Sequence, residues 1–384
     1  HNFINNQASL NADALSKFKD IATNMTGNTS VDLMDFSHKY LTSLSGAYNM
    51  GFAVAAVAIV LSFIIFIAFR KHYKYADYIK KAPANGTAAA STSLTPAQTK
   101  DRIVALVLVF ITVIFFWMAF HQNGLVLTLF AKNYTVSSVG NISYILFDLP
   151  ALISLIAVIM GIIFLILKKS TSTRRIIGLV LAIVGAAILY IRYSGFQGTN
   201  KISPELFQSF NPIFVVFLTP LVISFFGYYI SKNKEVSSPR KIGIGMFIAA
   251  AAYTIMVLVS IVGKGGSPLD SPAMIETSGG SVSSYLVSPY WLITTYFSLT
   301  IAELFLSPMV LSFVAKVAPP QFKGLMQGGW LMATALGNYL SGVIAIPYKH
   351  FPLWITFTIL VATSLISGIF IFSVMKRLEQ ATKS

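Results

Sequence analysis

One carboxylate stands in the middle of a long apolar stretch of this sequence. Glu303 lies in SLTIAELFLSP, within a long and mainly apolar run from Tyr290 to Val314. A charge at the centre of a membrane-spanning helix costs about 2.5–3.5 kcal/mol on insertion scales. Intramembrane carboxylates of this kind commonly bind cations or exchange protons, and the structural alternative is a hydrogen bond between helices.

A polar face surrounds Glu303. Helical spacing places Tyr296, Thr300 and Ser307 on its side of the helix, and Pro308 can bend the helix at the next residue. We expect this face to line a bundle interior or a wet cavity rather than lipid. Burial disfavours a charged carboxylate and a nearby ammonium favours it, so such a group can exchange a proton for a ligand amine.

The second apolar run contains the aromatic segment FFWMAFHQNGLVLTLF. If this run is one continuous helix, a single face carries Trp117, His121, Gly124 and Thr128. Phe120 lies beside that face. His121 is the only histidine well inside an apolar run, and an unperturbed imidazole titrates near ~pH 6.5. It is therefore either a proton- or ligand-binding group or a hydrogen-bonded residue, and the sequence leaves both open.

Two more runs contribute amides and a tryptophan. Gln208 and Asn211 lie three residues apart at the start of the fifth run, so a helix would place both on one face. The eighth run has a polar and aromatic face made of Gln327, Trp330, Thr334 and Asn338. Its ladder of Ala333, Gly337 and Ser341 favours close helix packing. Four helices with such groups at mid-membrane indicate a site for a polar solute.

Asp148 is the other carboxylate that lies inside an apolar run. It lies in LFDLPAL, a few residues inside the outer boundary of the third run, where a charge costs less than at the membrane centre. We interpret it as an interfacial residue that starts a helix before Pro150.

The composition is that of a membrane protein. Of the 384 residues 55% are hydrophobic and 11% charged, against about a quarter charged in soluble domains. The net charge of +15 arises mainly in the gaps between apolar runs, as in polytopic membrane proteins, so the lipid bilayer rather than nucleic acid is the expected partner. The absence of cysteine excludes disulfides and thiolate metal sites in this chain.

Nine apolar runs are each long enough to cross the hydrocarbon region. They are 48–69, 103–130, 144–167, 175–194, 206–230, 242–262, 290–315, 324–346 and 352–375. One set of alternate gaps contains 20 of the 28 lysines and arginines, which places that set in the cytoplasm. The N-terminal segment is then extracytoplasmic and the C-terminus cytoplasmic, in the cell (inner) membrane.

Several segments together resemble the proton-coupled oligopeptide transporter family of the major facilitator superfamily. The resemblance rests on FFWMAFHQNG (115–124), QSFNPIF (208–214) and the long segment from TIAELFLSP to LGNYLSG (300–342). Residues 48–71 also resemble the last helix of that family's N-terminal bundle. The family's first five helices have no counterpart, and the chain opens with His1 rather than Met, so we expect a chain lacking most of its N-terminal bundle.

The resemblance implies an all-α polytopic fold with about nine transmembrane helices: a C-terminal six-helix bundle, one N-terminal-bundle helix and two inserted helices. The implied segments are an extracytoplasmic loop (1–46), the last N-bundle helix (47–70), a cytoplasmic linker (71–102), the first C-bundle helix (103–131), the inserted pair (139–195), the remaining bundle (206–376) and a cytoplasmic tail (377–384).

The resemblance also implies roles for residues. Glu303 would meet the amino terminus of a peptide and couple its binding to a proton, with Ser307 as a polar neighbour. Asn211 would hydrogen-bond the peptide backbone, and we place Gln208 in the same binding site. Aromatic walls of the side-chain pockets would be formed by Trp117, Phe120 and Trp330. His121 stands where the family commonly has an acid, so it would be a second titratable group.

The implied function is symport of di- and tripeptides with protons by alternating access, driven by the proton gradient without a cofactor. A major facilitator transporter of another solute, such as nitrate or a drug, is the alternative, but a carboxylate suits an amine better than an anion. A membrane enzyme is least favoured, because the sequence has no metal-ligand cluster and no Ser–His pair on neighbouring turns of an apolar run.

Overall fold

A computed structural model describes residues 12–28, 30–73, 95–166, 171–234, 236–263, 268–277 and 285–383. The chain divides into two compact units, His1–Thr92 and Ser93–Ser384. Among the described residues, nine helical segments are long and apolar enough to cross a membrane. The protein is thus an all-α, multi-pass membrane protein, as the sequence predicts.

The first unit consists of α1 (Ala12–Thr26), α2 (Leu33–Ala68) and the short α3 (Arg70–Tyr73). The carboxylate of Asp32 accepts hydrogen bonds from the backbone N–H groups of Met34 and Asp35, which caps α2 at its first turn. The predicted boundary at residues 46 and 47 is therefore wrong: residues 33–46 are helix, not loop. Hydropathy detects only the apolar part of a helix, whereas the cap determines where the helix begins.

The second unit is a bundle with an inserted helical hairpin. In chain order its elements are α4 (Pro96–Phe120), a 3-10 turn (His121–Gly124), α5 (Val126–Tyr134), β1 (Ser138–Gly140), α6 (Asn141–Tyr144), α7 (Leu149–Ile166), α8 (Ser172–Ser194), β2 (Thr199–Lys201), a 3-10 segment (Pro204–Ser209), α9 (Phe210–Ser231), α10 (Ser238–Val262), α11 (Pro272–Thr277), α12 (Tyr290–Val317), a 3-10 turn (Pro320–Phe322), α13 (Lys323–Ser341), a 3-10 turn (Gly342–Ile344), α14 (Ala345–His350), α15 (Leu353–Ser373) and α16 (Met375–Lys383).

Six long helices, α4, α9, α10, α12, α13 and α15, pack together as one bundle. Aromatic side chains fill its centre, since Phe116, Tyr253, Phe313 and Phe357 are fully buried. The main helix pairs are α10 with α12 and α15, and α4 with α13. The predicted six-helix bundle is thus confirmed.

The two inserted helices, α7 and α8, pack on each other rather than between the helices of Trp117 and Glu303. A Cβ atom at Gly161 would lie 2.5 Å from the carbonyl oxygen of Gly178, so only glycine permits this approach. The strands β1 and β2 pair antiparallel at the base of the hairpin, with Gly140 opposite Thr199. The hairpin is therefore an addition to the bundle's flank.

Asp148 begins α7, as predicted, because its Oδ1 accepts a hydrogen bond of 2.9 Å from the N–H of Ala151. It also accepts hydrogen bonds from Nε (3.1 Å) and Nη2 (2.5 Å) of Arg192, in the last turn of α8. The Arg192 guanidinium holds the pKa of the Asp148 carboxyl below its ordinary value. The sequence did not indicate this pair, because its partners are 44 residues apart.

Two predicted segment boundaries on the bundle also change. A capping box between Thr95 and Gln98 starts α4 at Pro96, so the helix begins inside the predicted linker 71–102. Residues 74–94 of that linker lie outside the described residues. The predicted tail at 377–384 is helical to Lys383 and packed, since Leu378 in α16 is fully buried.

Candidate functional site

The carboxylate of Glu303 meets an amide from a neighbouring helix. Nδ2 of Asn211, in the first turn of α9, lies 2.9 Å from Oε2 of Glu303 and 3.1 Å from Oγ1 of Thr300. The Thr300 hydroxyl in turn donates to the carbonyl oxygen of Tyr296, at 2.8 Å. The structure thus brings Glu303 and Asn211 together, and the polar face predicted on α12 packs against α9.

Glu303 is half-buried and has no ion-pair partner among the described residues. Its neighbours along α12 are buried and apolar, with Ala302 and Leu306 fully buried. A carboxylate in such surroundings interacts strongly with any cation that approaches, because the local dielectric constant is low. The site is therefore chemically suited to a ligand ammonium or to a proton.

Three polar atoms of the predicted site are buried and make no hydrogen bond to another described residue. They are Oγ of Ser307, Nε1 of Trp117 and Nε1 of Trp330. Buried polar groups are normally paired, so these three atoms lack the partner that such groups usually have. Ser307 lies one turn from Glu303 on α12, as its spacing predicts.

The second apolar run is not one continuous helix. After α4 ends at Phe120, residues His121–Gly124 form a 3-10 turn, and α5 starts only at Val126. The predicted common face of His121, Gly124 and Thr128 is therefore wrong. Asparagine and glycine at 123 and 124 are weak helix formers, and tyrosine hydroxyls from other helices accommodate the break, as described below.

The aromatic part of that prediction holds. The imidazole of His121 stacks on the indole of Trp117, with ring centroids 5.1 Å apart and planes 25° apart. Phe120 meets both rings edge-on, at 5.4 Å from Trp117 and 5.9 Å from His121. His121 makes no hydrogen bond to another described residue, so the aromatic contacts alone orient it.

Gln208 does not join Asn211. It lies in the 3-10 segment before α9, and its Nε2 donates to Oγ1 of Thr128 at 3.0 Å. The prediction that Gln208 and Asn211 share a helix face is wrong, because the helix begins between them at Phe210. Gln208 therefore contacts the helix that follows the break rather than Glu303.

Gln122 is a residue that the sequence did not single out. It is fully buried, and its Nε2 donates to the carbonyl oxygens of Met118 (2.9 Å) and Ser341 (3.0 Å). The bond to Ser341 joins the break to the end of α13. Its position next to His121 was the only available signal, because the partner is 219 residues away.

Trp330 lies half-buried on α13, the helix that packs closely on α4. A Cβ atom at Gly337 would lie 2.6 Å from the carbonyl oxygen of Ile114, which confirms that the small-residue ladder serves packing. Among the described residues there is no group of three or more His, Asp or Glu side chains that could hold a metal ion.

Comparisons with known proteins agree with this architecture. The sequence profile of the POT family matches residues 192–357. Dipeptide and tripeptide permease B of Aliivibrio fischeri (strain MJ11) is 27% identical over 175 residues, covering 42% of this chain and 32% of that protein. The uncharacterized transporter YclF of Bacillus subtilis (strain 168) is 27% identical over 329 residues, covering 79% of this chain and 56% of its own length.

A solved structure gives the fold. The crystal structure of peptide transporter POT in complex with sulfate superposes with a TM-score of 0.51 and 18% identity, over 90% of this chain and 55% of that protein. The chain thus spans between about a third and just over half of the length of the relatives it matches. The chain is therefore similar to the POT family over residues 192–357 and shares its overall fold with a solved peptide transporter.

Proposed function

We propose that this protein moves di- and tripeptides across the cell (inner) membrane together with protons, by alternating access. The observation that carries the proposal is the half-buried Glu303 carboxylate, which accepts a hydrogen bond from Asn211 and has no cation partner among the described residues. The names of relatives, among them a dipeptide and tripeptide permease, support the same substrate class.

The chemistry of Glu303 provides the coupling. With no ligand the neutral carboxyl is the less costly form in a low-dielectric site, and an arriving ammonium favours ionisation by Coulomb attraction. For symport, the proton that the peptide's amino terminus displaces has to stay on the protein, at the second titratable group His121, and leave on the cytoplasmic side with the peptide. Protonation of the carboxylate then removes that attraction and releases the peptide.

The remaining residues position the peptide. The Asn211 amide, already oriented by Glu303 and Thr300, presents its oxygen to a backbone N–H of the ligand. Trp117, Phe120 and Trp330 form the aromatic walls of the pockets for ligand side chains. His121, against Trp117, serves as a second titratable group.

The test replaces Glu303 with glutamine in the full-length protein in proteoliposomes. Glu303→Gln keeps the shape and the hydrogen bond to Asn211 but loses the charge, so it should abolish accumulation of dipeptides driven by a proton gradient. It should also erase the preference for free over acetylated amino termini. Accumulation is measured with a radiolabelled dipeptide at an imposed pH gradient.

Glu205→Gln is the matched control. This carboxylate belongs to the same bundle but is exposed and bonded to the Ser203 hydroxyl, so its loss should leave accumulation unchanged. A Glu303→Gln protein that still concentrates dipeptides would make Glu303 a structural residue. Accumulation of a different solute, with no response to peptides, would favour the alternative of a transporter for another small molecule.

A further inference from the structure

The break at His121–Gly124 is stabilised by a tyrosine from the helix of Glu303. The Tyr296 hydroxyl, on α12, donates to the carbonyl oxygen of Asn123 at 2.6 Å, and both groups are buried. Thr128 donates to the same oxygen at 3.0 Å from within the broken segment. The Asn123 carbonyl therefore has one local partner and one partner that belongs to another helix.

Tyr296 and Glu303 share one face of α12. They are seven residues apart, which is two turns or about 10 Å along the helix axis. Hydrogen bonds also run between them: Asn211 donates to Glu303 and Thr300, and Thr300 donates to the Tyr296 carbonyl oxygen. The carboxylate and the tyrosine are thus parts of one rigid, hydrogen-bonded segment.

The bond to the Asn123 carbonyl is buried within the protein, so water does not readily replace a lost partner and losing one is costly. A shift of α12 must therefore either break the Tyr296 bond or move the break with it. The break begins at His121, whose ring is fixed against Trp117. One hydroxyl thus links the helix of the carboxylate to the segment of the imidazole.

We infer that Tyr296 is a positioning residue that couples the helix of Glu303 to the helix break beside His121. A role of this coupling in transport rests on the proposed function, whereas the coupling between the two segments does not depend on it. Changes in the state of Glu303 reach the break through this hydroxyl, and the conformation of the break in turn biases the position of α12.

Tyr253 offers a matched comparison. Its hydroxyl, fully buried on α10, donates to the carbonyl oxygen of Ala119 at 2.5 Å, one turn before the break. The chemistry is the same as that of Tyr296, but α10 has no carboxylate anywhere in its sequence. Loss of the Tyr253 hydroxyl should therefore alter the packing beside the break while the bond of Tyr296 to Asn123 stays in place.

The experiment measures thiol labelling at the break. This chain has no cysteine, and a Cβ atom at Gly124 would meet no atom within 4 Å, so Gly124→Cys provides an accommodated, unique thiol. The rate of its reaction with a maleimide is measured in the full chain with Glu303 and with Glu303→Gln. The same pair is then compared in the Tyr296→Phe and Tyr253→Phe backgrounds.

We expect Glu303→Gln to change the labelling rate by about fivefold, the lower end of typical coupling between sites. The change should disappear in Tyr296→Phe and persist in Tyr253→Phe. Three results would overturn the inference. Glu303→Gln could change the labelling rate equally in all backgrounds, its effect could disappear equally in both tyrosine variants, or it could have no effect with Tyr296 intact.

Labelling requires no transport, so it separates the two proposals. Coupling without peptide accumulation would contradict the proposed function alone and support the role of Tyr296. Thermal unfolding checks the Tyr296→Phe protein, in which Thr128 still bonds to the carbonyl. If that variant does not fold, hydrogen exchange at residues 121–126 is compared with and without Glu303→Gln, and unchanged exchange overturns the inference.

Discussion

His121 combines a titratable ring with a site that holds it only by aromatic contacts. The imidazole is half-buried, stacked on Trp117 and without a hydrogen bond to another described residue. An unperturbed imidazole changes charge near ~pH 6.5, within the range in which a proton-driven transporter works. The proposed role as a second proton site follows from this position and is open to a direct test.

His121→Gln should shift the pH optimum of dipeptide uptake, because glutamine retains a polar side chain but cannot take up a proton. The measurement is the initial uptake rate across a pH series in proteoliposomes. His350→Gln is the control, since His350 is an exposed histidine at the end of α14 and should leave the profile unchanged. An identical profile for wild type and His121→Gln would leave His121 a packing residue.

Asp148 provides a pH-dependent contribution to stability. Arg192 lowers the pKa of the folded carboxyl below the ordinary value of 3.8, so stabilisation is complete above that value and is lost as pH falls through the lowered pKa. Asp148→Asn should therefore lower the thermal unfolding midpoint at neutral pH, and the difference from wild type should shrink on acidification below the ordinary value.

The matched control for this pair is Asp101→Asn. The ion pair of Asp101 with Arg377 joins side chains that are 64% and 50% exposed, and solvent screens such pairs strongly. Its midpoint should move less than that of Asp148→Asn at the same pH. A difference for Asp148→Asn that is independent of pH would mean that shape, rather than charge, explains its effect.

At the scale of elements, the hairpin of α7 and α8 is separable from the bundle. The two helices pack on each other through Gly161 and Gly178. The segment before them is different, because the buried Phe147 packs on Phe207 and Phe210 of the bundle, with ring centroids 5.2 and 5.6 Å away. Phe147, rather than the hairpin itself, anchors this region.

Replacing residues 149–191 with a short Gly-Ser linker should therefore leave the bundle folded, because the pair returns the chain to the side from which it left. Removing the single ring in Phe147→Ala should lower stability more, by about 3–5 kcal/mol for a cavity in a packed core. Thermal unfolding in detergent compares the two variants. If the hairpin deletion unfolds the bundle and Phe147→Ala does not, the stabilising contacts lie in α7 and α8.

At the scale of the whole molecule, the distribution of charge orients the helices. Twenty of the 28 lysines and arginines lie in the gaps that we assign to the cytoplasm. The same rule predicts that residues 1–46 are extracytoplasmic and the C-terminus cytoplasmic. The hairpin offers a compact test, because the same rule predicts that its two ends lie on opposite sides of the membrane.

Single cysteines at Thr173 and Ser138, both exposed, should react differently with a membrane-impermeant maleimide in intact cells. Ser138→Cys, at the base of the hairpin, should be labelled from outside, and Thr173→Cys, at the start of α8, only after the cells are permeabilised. Equal labelling of both in permeabilised cells is the control. The reverse pattern would invert the assigned orientation.

The sequence by itself determined which segments cross the membrane, because hydropathy is a property of about 20 consecutive residues. Its motifs also indicated the fold and the chemistry of Glu303, since a lone carboxylate in an apolar run is costly whatever surrounds it. Helical spacing correctly predicted the packing ladder on α13. These features depend on local composition, so no knowledge of neighbours was needed.

Only the tertiary structure decided which groups meet. The bonds of Asn211 to Glu303, Tyr296 to Asn123 and Gln208 to Thr128 join residues 92, 173 and 80 positions apart. The break at His121–Gly124 also depends on residues that are distant in the sequence. Tyrosines on other helices donate hydrogen bonds to the carbonyl groups that the break leaves without helical partners. A prediction from helical spacing assumes that the backbone hydrogen bonds continue within one helix. Hydrogen bonds from other helices can replace them, so the helix can break.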